Sequence, residues 1–425
     1  MNQKGFIKII VVVFVILAGM VGYLALVKKS PPTTAIPSPS QSKSDWEKCI
    51  TDPRSKILQD YPQRCVVVDG RKVIKPGQTF SPTPSSVPSP TPAPSPSPAP
   101  TSPSPTPTPS QPQEITLLRN TTVKQVFDII YDPRIIAANS AIGRNQKEFS
   151  DIAGQRGAAW IILRGIADRD TAMIDKGIAA IEYGFQFQEP AGNFKNAHGL
   201  TSLQAISADA FFLQAVGHAA LAVQASEYAG QFSSRFVVLK PQIDKALNWL
   251  ASDKGRSELK RQDRNAPNRL VFDALAYTLN GIFLARSDLQ GFGDDFVTLA
   301  LARQRADGVF LEGGGHDSSY QATNILNLEG YWLWSNNANL RSKIFSALKT
   351  AASWEKTRVN PATGIVSIEG NTRTGSCQEQ FFGKCKDINY REVITSLIYW
   401  SVMGDDPEAA TLALKSLEYA TTHLR

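Results

Sequence analysis

The chain has 425 residues, and its 45 lysine and arginine residues against 38 aspartate and glutamate residues give a net charge of +7. Residues 1–112 hold 12 of the basic and 5 of the acidic residues, so residues 113–425 hold 33 of each. The basic excess therefore lies near the N-terminus, where it suits an anionic membrane or wall surface. The C-terminal part is neutral and carries no nucleic-acid motif, which excludes nucleic acid as an expected partner.

Residues 1–29 are predicted to form a transmembrane anchor. The 19-residue run Ile9–Val27 carries no charge, and at about 1.5 Å per residue it spans roughly 28 Å, close to the hydrocarbon thickness of a bilayer. A cleaved signal peptide is the alternative, but no small-x-small cleavage site follows the run. We therefore expect a single-pass protein of the cell membrane.

The cysteines indicate the compartment. They form two local pairs, Cys49 with Cys65 and Cys377 with Cys385, which suits disulfides in an oxidising environment. Four unpaired buried thiols are the alternative. We expect the two disulfides, and we place the C-terminal domain outside the cytoplasm.

Three segments precede the large domain. Residues 30–44 form a Pro/Ser linker, and residues 45–79 form a small module that needs a staple such as Cys49–Cys65. In this module Asp69-Gly70 lies between a valine run and Lys72-Val73-Ile74, which predicts a β-hairpin turn. Residues 80–112 are almost entirely Pro, Ser and Thr, a composition typical of a disordered, extended stalk. At about 3.1 Å per residue this stalk would reach roughly 100 Å.

Residues 113–425 are predicted to form one all-α domain, because apolar residues recur at helical spacing in a series of segments. These segments are 121–131, 149–164, 169–187, 204–228, 237–252, 267–285, 292–304, 321–335, 339–356, 389–403 and 406–423. Short turns alternate with longer loops, which cover about 188–203, 253–266, 305–320 and 357–388. Three of the longer loops contain a similarly placed glycine, Gly192, Gly308 or Gly364; these glycines are 116 and 56 residues apart, or two periods and one period of a unit near 57. Repeated helical hairpins of this kind are predicted to close into an (α/α) toroid whose open end the long loops line, with an open solenoid as the alternative.

The segment Asp307–Gln321 is the most informative part of the sequence. Three consecutive glycines lie between Glu312 and His316, and Asp317 and Tyr320 follow. Shaped loops on rigid scaffolds are where binding and catalysis usually occur. Other polar residues are predicted to reach the same open end: Asn196, His198, Arg269, Glu369, Asn371, Arg373, Glu379, Tyr390 and Arg391.

Several chemistries have no support in the sequence. It lacks the ligand spacing of a metal site, a Gly-x-Ser-x-Gly elbow and a phosphate-binding loop. We therefore expect no cofactor. Carboxylates, arginines, histidines and a tyrosine around one cleft favour a polysaccharide or cell-wall glycan as the partner.

The arrangement Asp307-Gly308-x-Phe310, followed by His316 and Tyr320, resembles the polysaccharide lyases of the (α/α)-toroid type. In that family a histidine and a tyrosine serve β-elimination at a uronate, together with an asparagine from an earlier loop. The resemblance implies His316 as the base and Tyr320 as the acid or shared base and acid, without a metal. It also implies that Asn196 and Arg391 address the substrate carboxylate. His198, Arg269, Glu312, Asp317 and Tyr390 are predicted to bind the substrate.

This sequence departs from the family pattern at two points. The triple glycine places the histidine several residues late, and the β-sandwich domains that commonly follow such a toroid are missing. The segment Asp317-Ser318-Ser319 also suits an ordinary helix N-cap.

Two other functions are open. A glycoside hydrolase needs two carboxylates about 5–10 Å apart, which Glu312 or Asp317 could supply together with Asp209, Glu369 or Glu379. A non-catalytic glycan-binding or scaffold protein is the third possibility. The lyase interpretation requires His316, Tyr320 and Asn196 to converge on one small volume.

Overall fold

The chain divides into two compact units, Met1–Pro98 and Ala99–Arg425, and the division falls within the predicted stalk. The computed structural model describes residues 56–58, 64–66, 72–74, 113–143, 151–195, 200–375, 377, 379–381 and 384–423. The predicted anchor and both predicted linkers lie outside these residues.

The N-terminal unit contains a small antiparallel sheet. Strands β1 (Lys56–Leu58), β2 (Arg64–Val66) and β3 (Lys72–Ile74) pair in chain order. Val66 is opposite Lys72, so residues 67–71 connect β2 to β3. The predicted hairpin around Asp69-Gly70 is therefore confirmed in its strand pairing. Cys49 lies outside the described residues, so its bond to Cys65 stays a prediction.

The C-terminal unit is built from helices, which confirms the all-α prediction for this domain. They are α1 Gln113–Leu118, α2 Thr121–Ile130, α3 Gly157–Asp168, α4 Thr171–Phe185, α5 Ile206–Ala225, α6 Ala229–Leu250, α7 Asp253–Asp263, α8 Pro267–Phe283, α9 Ser287–Leu301, α10 Ser318–Trp334, α11 Ala338–Arg358, α12 Tyr390–Met403 and α13 Pro407–His423. Two 3₁₀ turns, Pro133–Ile135 and Ile152–Arg156, and a short hairpin of β4 (Gln380–Phe381) and β5 (Lys384–Cys385) complete the described elements.

The helices form an inner and an outer set. Helices α5, α8, α10 and α12 are buried on nearly all sides, whereas α6, α9, α11 and α13 bury one face only. Each inner helix packs on the outer helix that follows it, and α3 packs on α4. Neighbouring inner helices also pack on each other, in the order α3, α5, α8, α10 and α12; α12 then contacts α2, and α2 contacts α3. Helix α5 is long and apolar enough to cross a membrane, but it is mostly buried here and acts as a core helix.

The connections alternate in length as the sequence predicted. Two or three residues join α3 to α4, α5 to α6, α8 to α9, α10 to α11 and α12 to α13. Longer segments precede α5, α8, α10 and α12. The prediction of a loop over residues 253–266 is wrong, because Asp253–Asp263 is helix α7. Its charged sequence hid the helix, since Leu259 is the apolar side chain that it buries.

One glycine position recurs in three of the long connections. Gly192, Gly308 and Gly364 have φ values of 107°, 92° and 74°. A Cβ atom at each would lie 2.5, 2.2 and 2.1 Å from a backbone oxygen of the following outer helix, at Lys245, Thr350 and Lys415. A side chain would therefore suffer both an unfavourable φ and a collision with backbone. The repeated glycine therefore lets each of these three connections lie directly against the backbone of an outer helix.

Helix α1 lies at the end of the helical domain that is opposite to the long connections. Its Glu114 is buried, and its carboxylate accepts hydrogen bonds from Trp334 Nε1 at 2.6 Å and from His218 Nε2 at 2.8 Å. Trp334 is the last residue of α10, so α1 lies at the C-terminal ends of the inner helices. The polypeptide thus enters the domain at the end remote from the long connections.

Candidate functional site

Five inner helices begin at one end of the domain, which we call the mouth. Their first residues are Gly157, Ile206, Pro267, Ser318 and Tyr390. Each of these helices is followed by a short turn and an outer helix, so the inner helices run in the same direction and their N-termini share one end. Helix N-termini carry a partial positive charge from the aligned backbone dipoles. The backbone alone therefore makes the mouth favourable for anions.

The triple glycine before α10 forms a tight turn. Glu312 and Gly315 exchange backbone hydrogen bonds of 2.9 and 3.3 Å, and Gly313 and Gly314 between them have φ values of 63° and 97°. A two-residue turn with two positive φ values strongly favours glycine. The glycines therefore serve the turn, and the polar residues on either side of it are held by its geometry.

Asp317 supports the loops of the mouth. It is the N-cap of α10 and accepts the backbone N–H of Tyr320 at 3.2 Å. Its other oxygen accepts the backbone N–H groups of Arg373 at 3.0 Å and Thr374 at 2.7 Å. Since the side chain is buried and both oxygens are engaged, Asp317 has a structural role here, and its predicted substrate contact stays a prediction.

Glu312 is buried beneath the mouth, with 1% of its surface exposed. One of its oxygens pairs with the Arg373 guanidinium, and Oε2 has no hydrogen-bond partner among the described residues. Burial raises the pKa of Glu312 to about 7, although the charges of Arg373 and Arg269 oppose the shift. Glu312 therefore holds the Arg373 guanidinium in place from below, and its predicted contact with a substrate stays a prediction.

Tyr320 is the centre of the most concentrated polar cluster at the mouth. Its hydroxyl donates to Glu379 Oε2 at 2.7 Å, and Lys386 Nζ contacts the same hydroxyl. The Arg373 guanidinium lies 4.3 Å from the centre of the Tyr320 ring and also pairs with Glu379 Oε1 at 3.2 Å. We call Tyr320, Arg373, Glu379 and Lys386 the tyrosine cluster.

The pKa values of Tyr320, Glu379 and Lys386 in the tyrosine cluster are shifted in different directions. Burial raises the pKa of Tyr320 well above its usual value, so the phenol keeps its proton at neutral pH. Burial opposes the shift at Glu379, but the Tyr320 hydrogen bond and the charges of Lys386 and Arg373 hold its pKa below the usual range. Burial lowers the pKa of Lys386. Perturbed groups that share one cleft are a common property of catalytic sites.

His316 contacts a different set of residues. Its Nε2 lies 3.1 Å from the backbone oxygen of Glu369, and its ring lies edge-on to Trp354 of α11 at 5.4 Å. Within the described part of the chain no hydrogen bond joins His316 to Tyr320. The partners of the Tyr320 hydroxyl are Glu379 and Lys386. The convergence of His316, Tyr320 and Asn196 stays a prediction, because Asn196 lies outside the described residues.

Arg269 lies beside a buried pair of carboxyl groups. Its Nη1 is 3.4 Å from Asp263 Oδ1, and Asp263 also accepts the Ser207 hydroxyl at 2.8 Å. Asp273 is fully buried next to Asp263, and burial together with that neighbouring charge raises its pKa well above the usual value. Arg269 is partly exposed and contributes to the field at Glu312.

The remaining predicted residues have separate positions. The Tyr390 hydroxyl accepts the backbone N–H of Val366 at 3.1 Å, which ties the preceding loop to α12. Arg391 is exposed in the first turn of α12. Asn196 and His198 lie outside the described residues, so their predicted roles stay predictions. Asp209 accepts the backbone N–H of Phe194 at 3.5 Å, a loop-supporting contact like that of Gln321 with Phe310 at 2.9 Å.

The sequence did not point to Lys386, gave no specific role to Arg373, and suggested Glu379 only as a possible carboxylate of a glycoside hydrolase. Cys377 and Cys385 form a disulfide with a Cα–Cα distance of 4.4 Å. Glu379 lies inside this covalent loop, and the Lys386 backbone N–H donates to Glu379 O at 2.9 Å at its base. The spacing of the two cysteines was the available signal, because a short disulfide loop presents the residues that it encloses in a fixed position.

Arg156 is another residue of the mouth that the sequence did not reveal. It precedes α3, and its guanidinium lies 5.2 Å from the ring centre of Phe211 and 5.5 Å from that of Phe272. These two rings are 4.7 Å apart and are each the sixth residue of their inner helix. The three side chains line the mouth on the side of α3, α5 and α8.

Comparison of the chain with protein-family models, with curated proteins and with solved structures found no match.

Proposed function

We propose that the protein is a membrane-anchored, extracytoplasmic polysaccharide lyase that cleaves a uronate-containing glycan at the mouth of its helical domain. We propose further that the inner helices close into an (α/α) toroid. The contacts of α12 with α2 and of α2 with α3 support closure, because they connect the last inner helix back to the first. The uncharged run Ile9–Val27 and the proline-rich residues 80–112 support anchoring and display.

The observation that carries the proposal is the position of the Tyr320 hydroxyl. It donates to the Glu379 carboxylate, touches the Lys386 ammonium, and belongs to a ring covered by the Arg373 guanidinium. The Tyr320 phenol thus lies among the Glu379 carboxylate, the Lys386 amine and the Arg373 guanidinium. This arrangement, at an opening that favours anions, suits proton transfer on an acidic substrate.

The chemistry of β-elimination assigns a role to each member of the tyrosine cluster. A base removes the proton from the carbon next to the uronate carboxylate, and the C–H electrons form a new carbon–carbon double bond. The bond from the ring to the glycosidic oxygen breaks, and that oxygen takes up a proton. Arg373 neutralises the carboxylate, which makes the carbon acid stronger. Tyr320 protonates the leaving oxygen, since its raised pKa keeps the proton available.

Lys386 is the base in this proposal. Burial lowers its pKa, which increases the share of neutral amine able to accept a proton. Glu379 stays ionised and holds the Tyr320 hydroxyl, the Arg373 guanidinium and the Lys386 side chain in place. The resemblance implied His316 as the base, but the ring of His316 contacts Glu369 and Trp354, so the proposal assigns the base to Lys386.

A glycoside hydrolase is the second candidate, and one observation favours it. Glu312, with a pKa raised to about 7, and Glu379, with a pKa below the usual range, both pair with Arg373. Two nearby carboxyl groups with opposite shifts are the usual signature of an acid and a base or nucleophile. The burial of Glu312 places this candidate second.

The test is a screen of the full-length protein against uronate-containing and neutral polysaccharides. A lyase produces unsaturated ends that absorb ultraviolet light, whereas a hydrolase produces reducing ends without that absorbance. Tyr320→Phe is expected to lower the rate of elimination about 10²–10⁴-fold, the usual contribution of a general acid or base. Tyr277→Phe is the matched control, because that hydroxyl donates to Leu250 O in the core.

Three outcomes would contradict the lyase proposal. A fully active Tyr320→Phe variant would remove the proposed mechanism. Reducing ends without unsaturation would establish the hydrolase. Binding of a polysaccharide without cleavage would support the non-catalytic scaffold.

A further inference from the structure

We infer that Arg156 is a second anion-binding residue of the mouth, in addition to Arg373, and that it takes the carboxylate of an acidic sugar, with Phe211 and Phe272 holding its guanidinium in place. This inference rests on the proposed function, because it identifies the residue through which the same site would select an acidic glycan.

Arg156 has no anionic partner among the residues that the structure describes. No hydrogen bond or ion pair of its guanidinium is found among residues 113–143, 151–195 and the rest of the described chain. Other partly buried arginines, such as Arg164, Arg235 and Arg286, pair with one or two carboxylates. A half-buried guanidinium without a partner lowers the stability of the fold unless an anionic ligand pairs with it.

The second argument is the way in which Arg156 is held. Its guanidinium lies over the rings of Phe211 and Phe272, at 5.2 and 5.5 Å. Contacts with aromatic rings use the faces of the planar group and leave its N–H donors, which point outward in the plane, available. These donors match the two oxygens of a carboxylate. The two rings fix the cation without satisfying its hydrogen bonds.

The third argument is the electrostatic surroundings. Arg156 immediately precedes α3, so the positive end of that helix dipole adds to its charge. Arg391, on α12, acts on it with the same sign, and Tyr320 is also close enough to influence it. Glu392 is the acidic residue with the largest effect on Arg156, and its carboxylate accepts the Thr323 hydroxyl. The site is thus prepared for an anion near the tyrosine cluster.

The apolar walls favour a sugar over a small inorganic ion. Phe211 is partly exposed beside the cation, with the buried Phe272 ring behind it, and the C–H faces of a pyranose pack well on aromatic rings. A carboxylate attached to a sugar ring uses both features together. Tyr320 lies nearby, so a chain bound at Arg156 would extend toward the tyrosine cluster.

The test measures ligand binding in the absence of turnover. Thermal unfolding of the full-length protein is followed with increasing D-glucuronate, and with D-glucose as the uncharged control. We expect glucuronate to raise the unfolding midpoint of the wild type in a concentration-dependent way, since a ligand that binds the folded state stabilises it. Glucose should have little effect. Arg156→Met should weaken the apparent affinity for glucuronate at least about tenfold, as expected for the loss of one charge-assisted pair.

Arg341→Met is the matched control. Arg341 also stacks on an aromatic ring, that of Trp332 at 4.5 Å, but it lies between α10 and α11 near their short turn. This variant should respond to glucuronate like the wild type. If Arg156→Met proves unstable without ligand, Arg156→Lys keeps the charge but loses the planar pair of donors, and an intermediate affinity is expected.

Two results would overturn the inference: an unchanged response in Arg156→Met, or no response of the wild type to glucuronate. Its failure can be told apart from failure of the proposed lyase. Glucuronate binding through Arg156 without cleavage of any glycan would leave the inference intact and reject the enzyme. Cleavage by Arg156→Met with an unchanged KM would reject the inference and keep the enzyme.

Discussion

The Tyr320 hydroxyl donates a hydrogen bond of 2.7 Å to the Glu379 carboxylate, although 59 residues separate the two in the chain. Tyr320 is fixed by the start of α10, and Glu379 is fixed by the loop that the Cys377–Cys385 disulfide closes. A rigid helix and a covalently closed loop thus supply the two halves of one contact, which is the kind of preorganisation that proton transfer requires.

The assignment of Lys386 as the base predicts the same loss of activity for a neutral substitution and for one that keeps the positive charge. Lys386→Met and Lys386→Arg should both lower kcat at least about 100-fold, because neither methionine nor arginine can accept the proton at neutral pH. The measurement is steady-state kinetics on an active glycan. In the wild type the rate should rise with pH up to the lysine pKa, which burial places below its usual value. High activity of Lys386→Arg would show that Lys386 supplies charge alone. Lys356→Met is the control, since Lys356 pairs with Asp406 and Glu408 of the α12–α13 region.

The raised pKa of Glu312 predicts how its contribution to the free energy of unfolding changes with pH. Burial raises its pKa in the folded protein to about 7 from an ordinary value near 4.5. The folded state therefore binds the proton more tightly than the unfolded state. The resulting contribution to the free energy of unfolding is fully present below about pH 4.5 and is lost as the pH rises through about 7. A shift of this size corresponds to a loss on the order of 3 kcal/mol.

The comparison of wild type with Glu312→Gln isolates this contribution from those of other buried carboxyl groups. Denaturant unfolding at a series of pH values should show that the wild type loses stability between about pH 4.5 and 7 relative to Glu312→Gln. Parallel pH profiles for the two proteins would contradict the assignment.

Removing the Cys377–Cys385 disulfide should affect the activity of the site more than the stability of the whole domain. Replacing both Cys377 and Cys385 with serine frees the segment that carries Glu379. Closing so short a loop stabilises a fold by about 2.5 kcal/mol at most in the chain-entropy model. Activity should fall at least about tenfold because Glu379 loses its fixed position beside Tyr320, while the helical circular dichroism stays unchanged. Full activity of the double variant would show that the loop holds its shape without the bond.

The recurring glycine of the long connections predicts a contrast between two glycine-to-alanine substitutions. Gly308→Ala forces an alanine to a φ of 92° and brings its Cβ to 2.2 Å from Thr350 O. We therefore expect the free energy of unfolding to fall by roughly 2–4 kcal/mol. Gly291→Ala places a methyl group where no atom lies within 4 Å, in the middle of α9. That change should stabilise the protein by about 0.5–1 kcal/mol. Equal midpoints for the two variants in denaturant unfolding would contradict this account of the repeat.

The helical framework was accessible from the sequence because its signals are local. Apolar spacing gave the helices, and the matched positions of Gly192, Gly308 and Gly364 gave the hairpin repeat. Helix α7 escaped because it buries little apolar surface, yet its N-cap offered a local sign: the Ser252 hydroxyl accepts the Gly255 backbone N–H at 3.1 Å. A capping residue followed by charged residues deserves weight even where no apolar stripe follows.

The site was harder to predict because its contacts join distant parts of the chain. The loop Asp307–Gln321 was correctly located at the mouth, but the sequence could not show that His316 packs on Trp354 while Tyr320 turns to Glu379 and Lys386. Arg156 meets Phe211 and Phe272 across 55 and 116 residues of sequence. Such groupings follow from the packing of the inner helices and have no signature in any single segment.

The buried Glu114 of α1 gives the helical domain a direction. Its bonds to His218 and Trp334 fasten the start of the domain at the pole where the inner helices end. Helix α1 therefore lies at one pole of the domain, while the tyrosine cluster lies at the other. A glycan bound at the tyrosine cluster would contact the helical domain at the pole opposite to α1.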